Sequence, residues 1–155
     1  MKPEVVAILC IFVAFSIFEM ARVGLFRKTD AVKGDGLVEL VSTLALLIFT
    51  QPFILASVQY LGTTYLPQYE NALVHWAIPA QIAMFLVFED MLQYWWHRLS
   101  HSVPFLYKLH RPHHNSGYMS VRLVYRNSIL YYLIMPSIWG AAVMVYLGFG
   151  WVYAF

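Results

Sequence analysis

The sequence predicts an all-α integral membrane bundle with about four transmembrane helices, and three observations support this fold class. Hydrophobic residues make up 61% of the 155 residues and charged residues only 12%, which differs strongly from ordinary soluble domains. The apolar residues fall into four long runs, each close to the length that crosses a bilayer. Lysine and arginine gather in alternate loops between these runs, as the positive-inside rule describes for membrane proteins.

The first predicted span covers residues 4–26. It contains Glu19 and Arg22, which we expect to face protein or the membrane interface because charged side chains are costly in lipid. A cleavable signal peptide is the alternative, since Lys2 precedes an apolar core of suitable length, although no small-residue cleavage site follows. The polar segment 27–36 then has the turn chemistry of a linker.

The second and third spans are predicted at residues 37–61 and 74–96. Pro52 interrupts the second span and predicts a kink there, because proline lacks a backbone N–H. The third span ends in the aromatic residues 94–96, which are typical of a membrane interface. Pro104 then predicts the end of this helix near Val103, since the residue before proline avoids helical angles.

The fourth span is predicted at residues 128–148, and the whole chain, 1–155, forms a single membrane domain. Basic residues occur after the first span and between the third and fourth, but not between the second and third. They are Arg27, Lys28 and Lys33, then Arg98, Lys108, Arg111, Arg122 and Arg126. The loop 97–126 is therefore predicted to be cytoplasmic and the N-terminus to lie on the opposite side. The net charge of +2 is too small to indicate a nucleic-acid partner, and none is expected.

Five of the six histidines lie close together directly after the third span, and imidazole is the commonest metal ligand. They are His97, His101, His110, His113 and His114. His97 and His101 share one helix face because they are four residues apart. Asp90 and Tyr94 lie on the same face, where we expect them to orient the ligating imidazoles through hydrogen bonds. The five histidines are predicted metal ligands.

The second histidine group surrounds Pro112, which we expect to open a new helix. Five nitrogen ligands exceed the needs of a tetrahedral zinc site, so a pair of irons is favoured, with zinc as a substitute. Two alternatives stay open. The histidines belong to a solvated interfacial loop, or two of them bind haem. A metalloprotease is disfavoured, since Arg98 occupies the position where a general-base glutamate is required.

Three sequence blocks resemble the fatty acid hydroxylase and sterol desaturase superfamily. They are D-x3-Y-W-W-H-R-L-S-H at 90–101, H-R-P-H-H at 110–114 and V-Y-R-N-S-I-L-Y-Y-L-I-M-P at 124–136. The resemblance implies an integral membrane enzyme that uses two irons and molecular oxygen to hydroxylate or desaturate a lipid or sterol. Electrons would come from a separate donor, because no nucleotide-binding fingerprint is present.

The family pattern also includes a third histidine group, whereas no histidine follows His114 in this sequence. Three explanations are consistent with this difference. We favour a fragment or truncated gene product, because the sequence ends in unfinished apolar residues. A partner chain that supplies the missing histidines is the second explanation. The third is a relative that binds metal, or nothing, without oxidising lipid. A non-catalytic membrane metal-binding protein, or the partner subunit of an oxidase, is therefore the alternative function.

Overall fold

The computed structural model describes residues 3–23, 34–116, 121–150 and 152, and all regular structure within them is helical. This confirms the all-α class. A π-helical turn at Leu46–Thr50 joins two of the α-helices, and short 3-10 turns occur at Pro67–Tyr69 and Val121–Tyr125. The α-helices are α1 Pro3–Val23, α2 Asp35–Ala45, α3 Gln51–Tyr65, α4 Ile78–Ser102, α5 Pro104–His114, α6 Ile129–Leu133 and α7 Pro136–Tyr146.

One helical run among the described residues, Gly36–Tyr65, has both the length and the hydropathy to cross a bilayer. It combines α2, the π turn and α3. The helix α7 is apolar but shorter than a membrane span. The second half of α4 is more polar, since it carries acidic and histidine side chains. The structure thus supports one membrane crossing by length and composition.

The expected irregularity near Pro52 occurs just before it, as the π turn Leu46–Thr50. Proline supplies no N–H for the helical hydrogen-bond ladder, and a π turn is one of the usual causes of a helix kink. The turn buries Leu46, which packs against Tyr131 and Tyr132 from α6. The irregular turn therefore contacts the part of the bundle that carries the histidines.

Residues 128–148 form two helices rather than one continuous span. The backbone of Met135 is extended because Pro136 follows it, so α6 ends at Leu133 and α7 begins at Pro136. The indole nitrogen of Trp139 donates a 2.7 Å hydrogen bond to the carbonyl oxygen of Leu133. This bond satisfies a backbone acceptor that the end of α6 leaves unpaired.

The helices α3, α4 and α7 pack side by side, and a glycine permits close contact between two of them. A Cβ atom at Gly140 would lie 2.8 Å from Leu92 and 3.0 Å from Phe88. At its other end α7 meets the loop after α3, where the amide of Asn71 donates a 3.0 Å hydrogen bond to the carbonyl oxygen of Tyr146. The loop 66–77 therefore lies at the end of the bundle opposite α5.

The connection from α4 to α5 is the single residue Val103, which has an extended backbone before Pro104. The predicted end of α4 is thereby confirmed. The prediction that Pro112 opens a new helix is wrong, because α5 already begins at Pro104 and Pro112 lies inside it. Since proline is favoured at the first position of a helix, Pro104 takes the role that we expected of Pro112. The two helices form a hairpin that brings both histidine groups together.

Candidate metal centre

Four imidazoles from the α4–α5 hairpin converge on one point. The Nε2 atoms of His97 and His101 on α4 lie 3.1 Å apart, and those of His110 and His114 on α5 are also 3.1 Å apart. The ligand atoms of all four residues lie within 4.8 Å of one another. The spacing of four residues within each pair places both rings on one helix face, which the sequence predicted for His97 and His101 only.

His110 is the buried member of the group, with 2% of its surface exposed. Its Nδ1 atom donates a 2.9 Å hydrogen bond to the side-chain oxygen of Asn127. Its ring stacks on Tyr131, with a centroid distance of 4.9 Å and an interplanar angle of 18°. The hydroxyl of Tyr131 lies 3.1 Å from that of Ser100, which donates to the carbonyl oxygen of Trp96. The tautomer and the plane of His110 are both fixed.

His113 lies beside this group rather than within it. Its Nδ1 atom donates a 2.8 Å hydrogen bond to the carbonyl oxygen of Leu123. Its ring is nearly parallel to that of His110, at a centroid distance of 5.1 Å and an angle of 19°. Because Nδ1 carries the proton, Nε2 has a free lone pair in the neutral ring. His113 is thus prepared to ligate, but its ligand atom is outside the convergent set of four.

The electrostatics of the site favour the neutral form of three of its imidazoles, His97, His110 and His114. Burial lowers the pKa of His110 to about 4, against the opposing effect of the Asn127 hydrogen bond, and the neighbouring His113, His97 and His114 lower it further. Burial, followed by repulsion from neighbouring imidazoles, also lowers the pKa of His97 and of His114. Neutral imidazole is the form that binds metal. The donor set therefore fits a metal ion, and imidazole donors suit iron, zinc, copper and nickel.

Asp90 and Tyr94 lie near the site but do not bond to it. They line an open groove of about 860 Å³ together with Gln93, His97 and Arg98. The Tyr94 hydroxyl accepts a 2.9 Å hydrogen bond from the Arg98 guanidinium. Among the residues that the structure describes, neither Asp90 nor Tyr94 hydrogen-bonds to a histidine. Their predicted orienting role stays a prediction.

The sequence did not predict the residues that bond to the Nδ1 atoms of the imidazoles or stack on their rings. These are Asn127 and the carbonyl group of Leu123, which bond to the histidines, and Tyr131 with Ser100, which form a layer under His110. Asn127 and Tyr131 belong to the block 124–136 that carries part of the family resemblance. The available signal was Asn127, a polar residue in an otherwise apolar run.

The geometry defines a class: an all-helical protein whose helical hairpin presents a histidine cluster able to hold a metal ion. Residues 82–155, which contain all five clustered histidines, match the family model for fatty acid hydroxylase. The match confirms the resemblance that the sequence motifs indicated. No curated protein and no solved structure matches the chain. Family and site together support an oxidoreductase-type function on lipid, with membrane association.

Proposed function

We propose that this chain catalyses the oxygen-dependent hydroxylation or desaturation of a lipid or sterol at an iron centre held by its histidines. One observation carries the proposal: four imidazole ligand atoms lie within 4.8 Å of one another, inside the segment that matches the fatty acid hydroxylase family. Neither feature alone would be sufficient, because families contain inactive members and histidine clusters also serve structural roles.

The residues that would hold the metal are His97, His101, His110 and His114, while His113, the fifth predicted ligand, lies beside them. Bound iron would supply the activation of molecular oxygen, and a separate protein would supply electrons. The number of irons, two by the family resemblance, is separate from the proposed activity. The chain's own residues orient the ligands, since Asn127 and the carbonyl oxygen of Leu123 hold the Nδ1 protons of His110 and His113.

The substrate would approach along the groove beside His97. Three of the four convergent imidazoles are exposed, and the groove lies against α4 where His97 emerges. Asp90 and Tyr94 line this groove, so their proposed role is to orient His97 or a group of the substrate next to it. The phenol of Tyr94 also positions the Arg98 guanidinium at the groove.

A multi-pass membrane topology with a cytoplasmic histidine loop at 97–126 is part of the proposal. The 25 residues of α4 give it a length of about 37 Å, enough to cross a bilayer. The loop 66–77 lies at one end of this helix and the histidines at the other. Residues 66–77, before α4, contain no lysine or arginine, whereas Lys108 and Arg111 follow α4, which favours a cytoplasmic location for the histidine side.

The test uses the full chain, purified in detergent, loaded with ferrous iron without oxygen and then supplied with isotopically labelled oxygen and a chemical reductant. A free fatty acid, a phosphatidylcholine and a sterol serve as trial substrates. Mass spectrometry should detect a product that has gained labelled oxygen or lost two hydrogens, and the variant His101→Ala should not form it. Equal product from wild type and His101→Ala, or none from any of these substrates, would contradict the proposed activity.

A second candidate function is a non-catalytic membrane protein, or a partner subunit of an oxidase, that binds metal for assembly. The convergence of four imidazoles on one point favours it, because closed sites of four protein ligands are typical of structural metals. This candidate predicts tight zinc binding, a loss of folded protein when zinc is removed, and no lipid oxidation after exchange of zinc for iron.

A further inference from the structure

The histidine cluster of this chain fits one metal ion better than two. The family resemblance implies two irons, but all six histidines of the sequence lie in the described residues, and only five are near the site. His75, the sixth, precedes α4 and is separated from the cluster by the length of that helix. The number of metal positions therefore depends on how these five imidazoles are arranged.

The distances among the ligand atoms favour a single ion. Metal–imidazole bonds of about 2.0–2.1 Å place neighbouring ligands of a six-coordinate ion about 3.0 Å apart and opposite ligands about 4.2 Å apart. The two pairs at 3.1 Å match neighbouring positions, and the upper limit of 4.8 Å requires only a small closing movement. Two ions about 3.5–4 Å apart would separate their outer ligands by about 7 Å. The four atoms are too close together for that arrangement.

His113 stands apart from the four for a structural reason. Its Nδ1 atom is anchored to Leu123 on the 3-10 turn, and its ring lies 5.1 Å from His110 in a parallel stack. Its ligand atom is not among the four that lie within 4.8 Å of one another. His113 also contacts His114, with ring centroids 5.2 Å apart, but the ligand atoms of His110 and His114 belong to the convergent set and that of His113 does not.

We infer that His97, His101, His110 and His114 form one high-affinity metal position that leaves two coordination sites of a six-coordinate ion open, and that His113 does not contribute to its affinity. The inference rests on the proposed metal site but not on the proposed chemistry. The ion would be reachable from the exposed side of the cluster. Its two open coordination sites would distinguish this metal position from a closed structural site.

The test is a titration of the metal-free full chain in detergent with Co²⁺, whose visible spectrum separates four-coordinate from six-coordinate ions. We expect one tightly bound Co²⁺ per chain and the weak absorption of a six-coordinate ion. His114→Ala and His101→Ala should each weaken binding by at least about tenfold. His113→Ala and the distant control His75→Ala should leave the affinity unchanged within about twofold. Circular dichroism verifies that each variant keeps its helix content.

Two equally tight Co²⁺ ions per chain, or a loss of affinity in His113→Ala as large as in His114→Ala, would overturn the single position. An intense four-coordinate spectrum would overturn the two open sites. If His114→Ala loses helix content, the exposed position His101 provides the deciding variant. One bound ion without lipid oxidation would support the single position and contradict the proposed function. Lipid oxidation with two bound ions would support the proposed function and overturn the single position.

Discussion

The Nδ1 atom of His110 donates a 2.9 Å hydrogen bond to the side-chain oxygen of Asn127, and both residues are buried. This bond fixes the proton on Nδ1 and directs the Nε2 lone pair toward His114, whose Nε2 atom is 3.1 Å away. Two lone pairs at this distance repel each other, so a proton or a cation between them is favourable. Asn127 is thus the residue that orients His110 for metal binding.

Removal of this bond should weaken metal binding without unfolding the helices. We expect Asn127→Ala to lower the affinity for Co²⁺ by about 10–100-fold, because groups that orient a ligating histidine have effects of this size. Asn127→Asp keeps an acceptor and should restore most of the affinity. Asn115→Ala, an exposed asparagine directly after α5, is the matched control. Equal affinities for Asn127→Ala and Asn115→Ala would show that the bond is not used.

The lowered pKa values predict that metal is retained in mildly acidic solution. Burial holds the pKa of His110 at about 4, and the pKa values of His97 and His114 are also lowered. Protons therefore compete weakly with metal between pH 6.5 and 4. We expect the midpoint of Zn²⁺ release, measured by dialysis against a series of buffers, to lie below pH 6.5, and release at or above that value would contradict the prediction.

The same pKa shift sets the sign of the pH dependence of stability. A histidine whose pKa is lower in the folded than in the unfolded state binds protons more readily when unfolded, so stability falls as the pH falls from 6.5 toward 4. For the metal-free chain we expect the melting temperature in detergent to decrease through this window. Replacement of His110 by Gln, which cannot be protonated, should flatten the decrease, while replacement of exposed His75 by Gln should not.

The ring of Tyr131 should contribute more to stability than its hydroxyl group. Its ring supports His110 and packs against Trp96, whereas its hydroxyl hydrogen-bonds to the buried Ser100. We expect Tyr131→Ala to cost about 3–5 kcal/mol of unfolding free energy, as for other large-to-small core changes. Tyr131→Phe should cost about 1 kcal/mol, because Ser100 keeps its bond to Trp96. Denaturant unfolding followed by circular dichroism measures both, and equal losses would contradict the role of the ring.

The proposed topology places residues 68 and 102 on opposite sides of a membrane. Cys10 is the only cysteine, so a Cys10→Ser background permits single new cysteines at the exposed positions Gln68 and Ser102. In intact cells, a membrane-impermeant maleimide should label Gln68→Cys, and it should label Ser102→Cys only after permeabilisation. Labelling of both from the same side would contradict a membrane-spanning α4.

Much of the site could be predicted because its key spacings are local. The pair His97–His101 was predicted from helix periodicity, and Pro104 marks the turn between the helices. The pair His110–His114 was not predicted, because the second helix was expected to begin at Pro112. The prediction that Pro112 begins a helix was wrong because Pro104 occupies the first position of that helix, and the sequence alone did not show which proline would do so.

The supporting contacts could not be predicted, because they depend on how separate elements pack. Asn127 reaches His110 across 17 positions of sequence, and Tyr131 reaches Ser100 across 31. The predicted fourth span is interrupted at Met135 because Pro136 follows it, but the lengths of the two resulting helices could not be predicted. The hydrogen bond from His113 to the carbonyl oxygen of Leu123 could not be predicted for the same reason.

The one-residue turn at Val103 has a consequence for the order of folding. All four convergent imidazoles come from one short hairpin, so few residues must be ordered before their ligand atoms meet, and the loop-closure entropy is small. Local contacts of this kind form early in folding. The four ligand atoms can therefore meet before α6 and α7 dock, and Asn127 and Tyr131 contact His110 only once their segment has packed against α5.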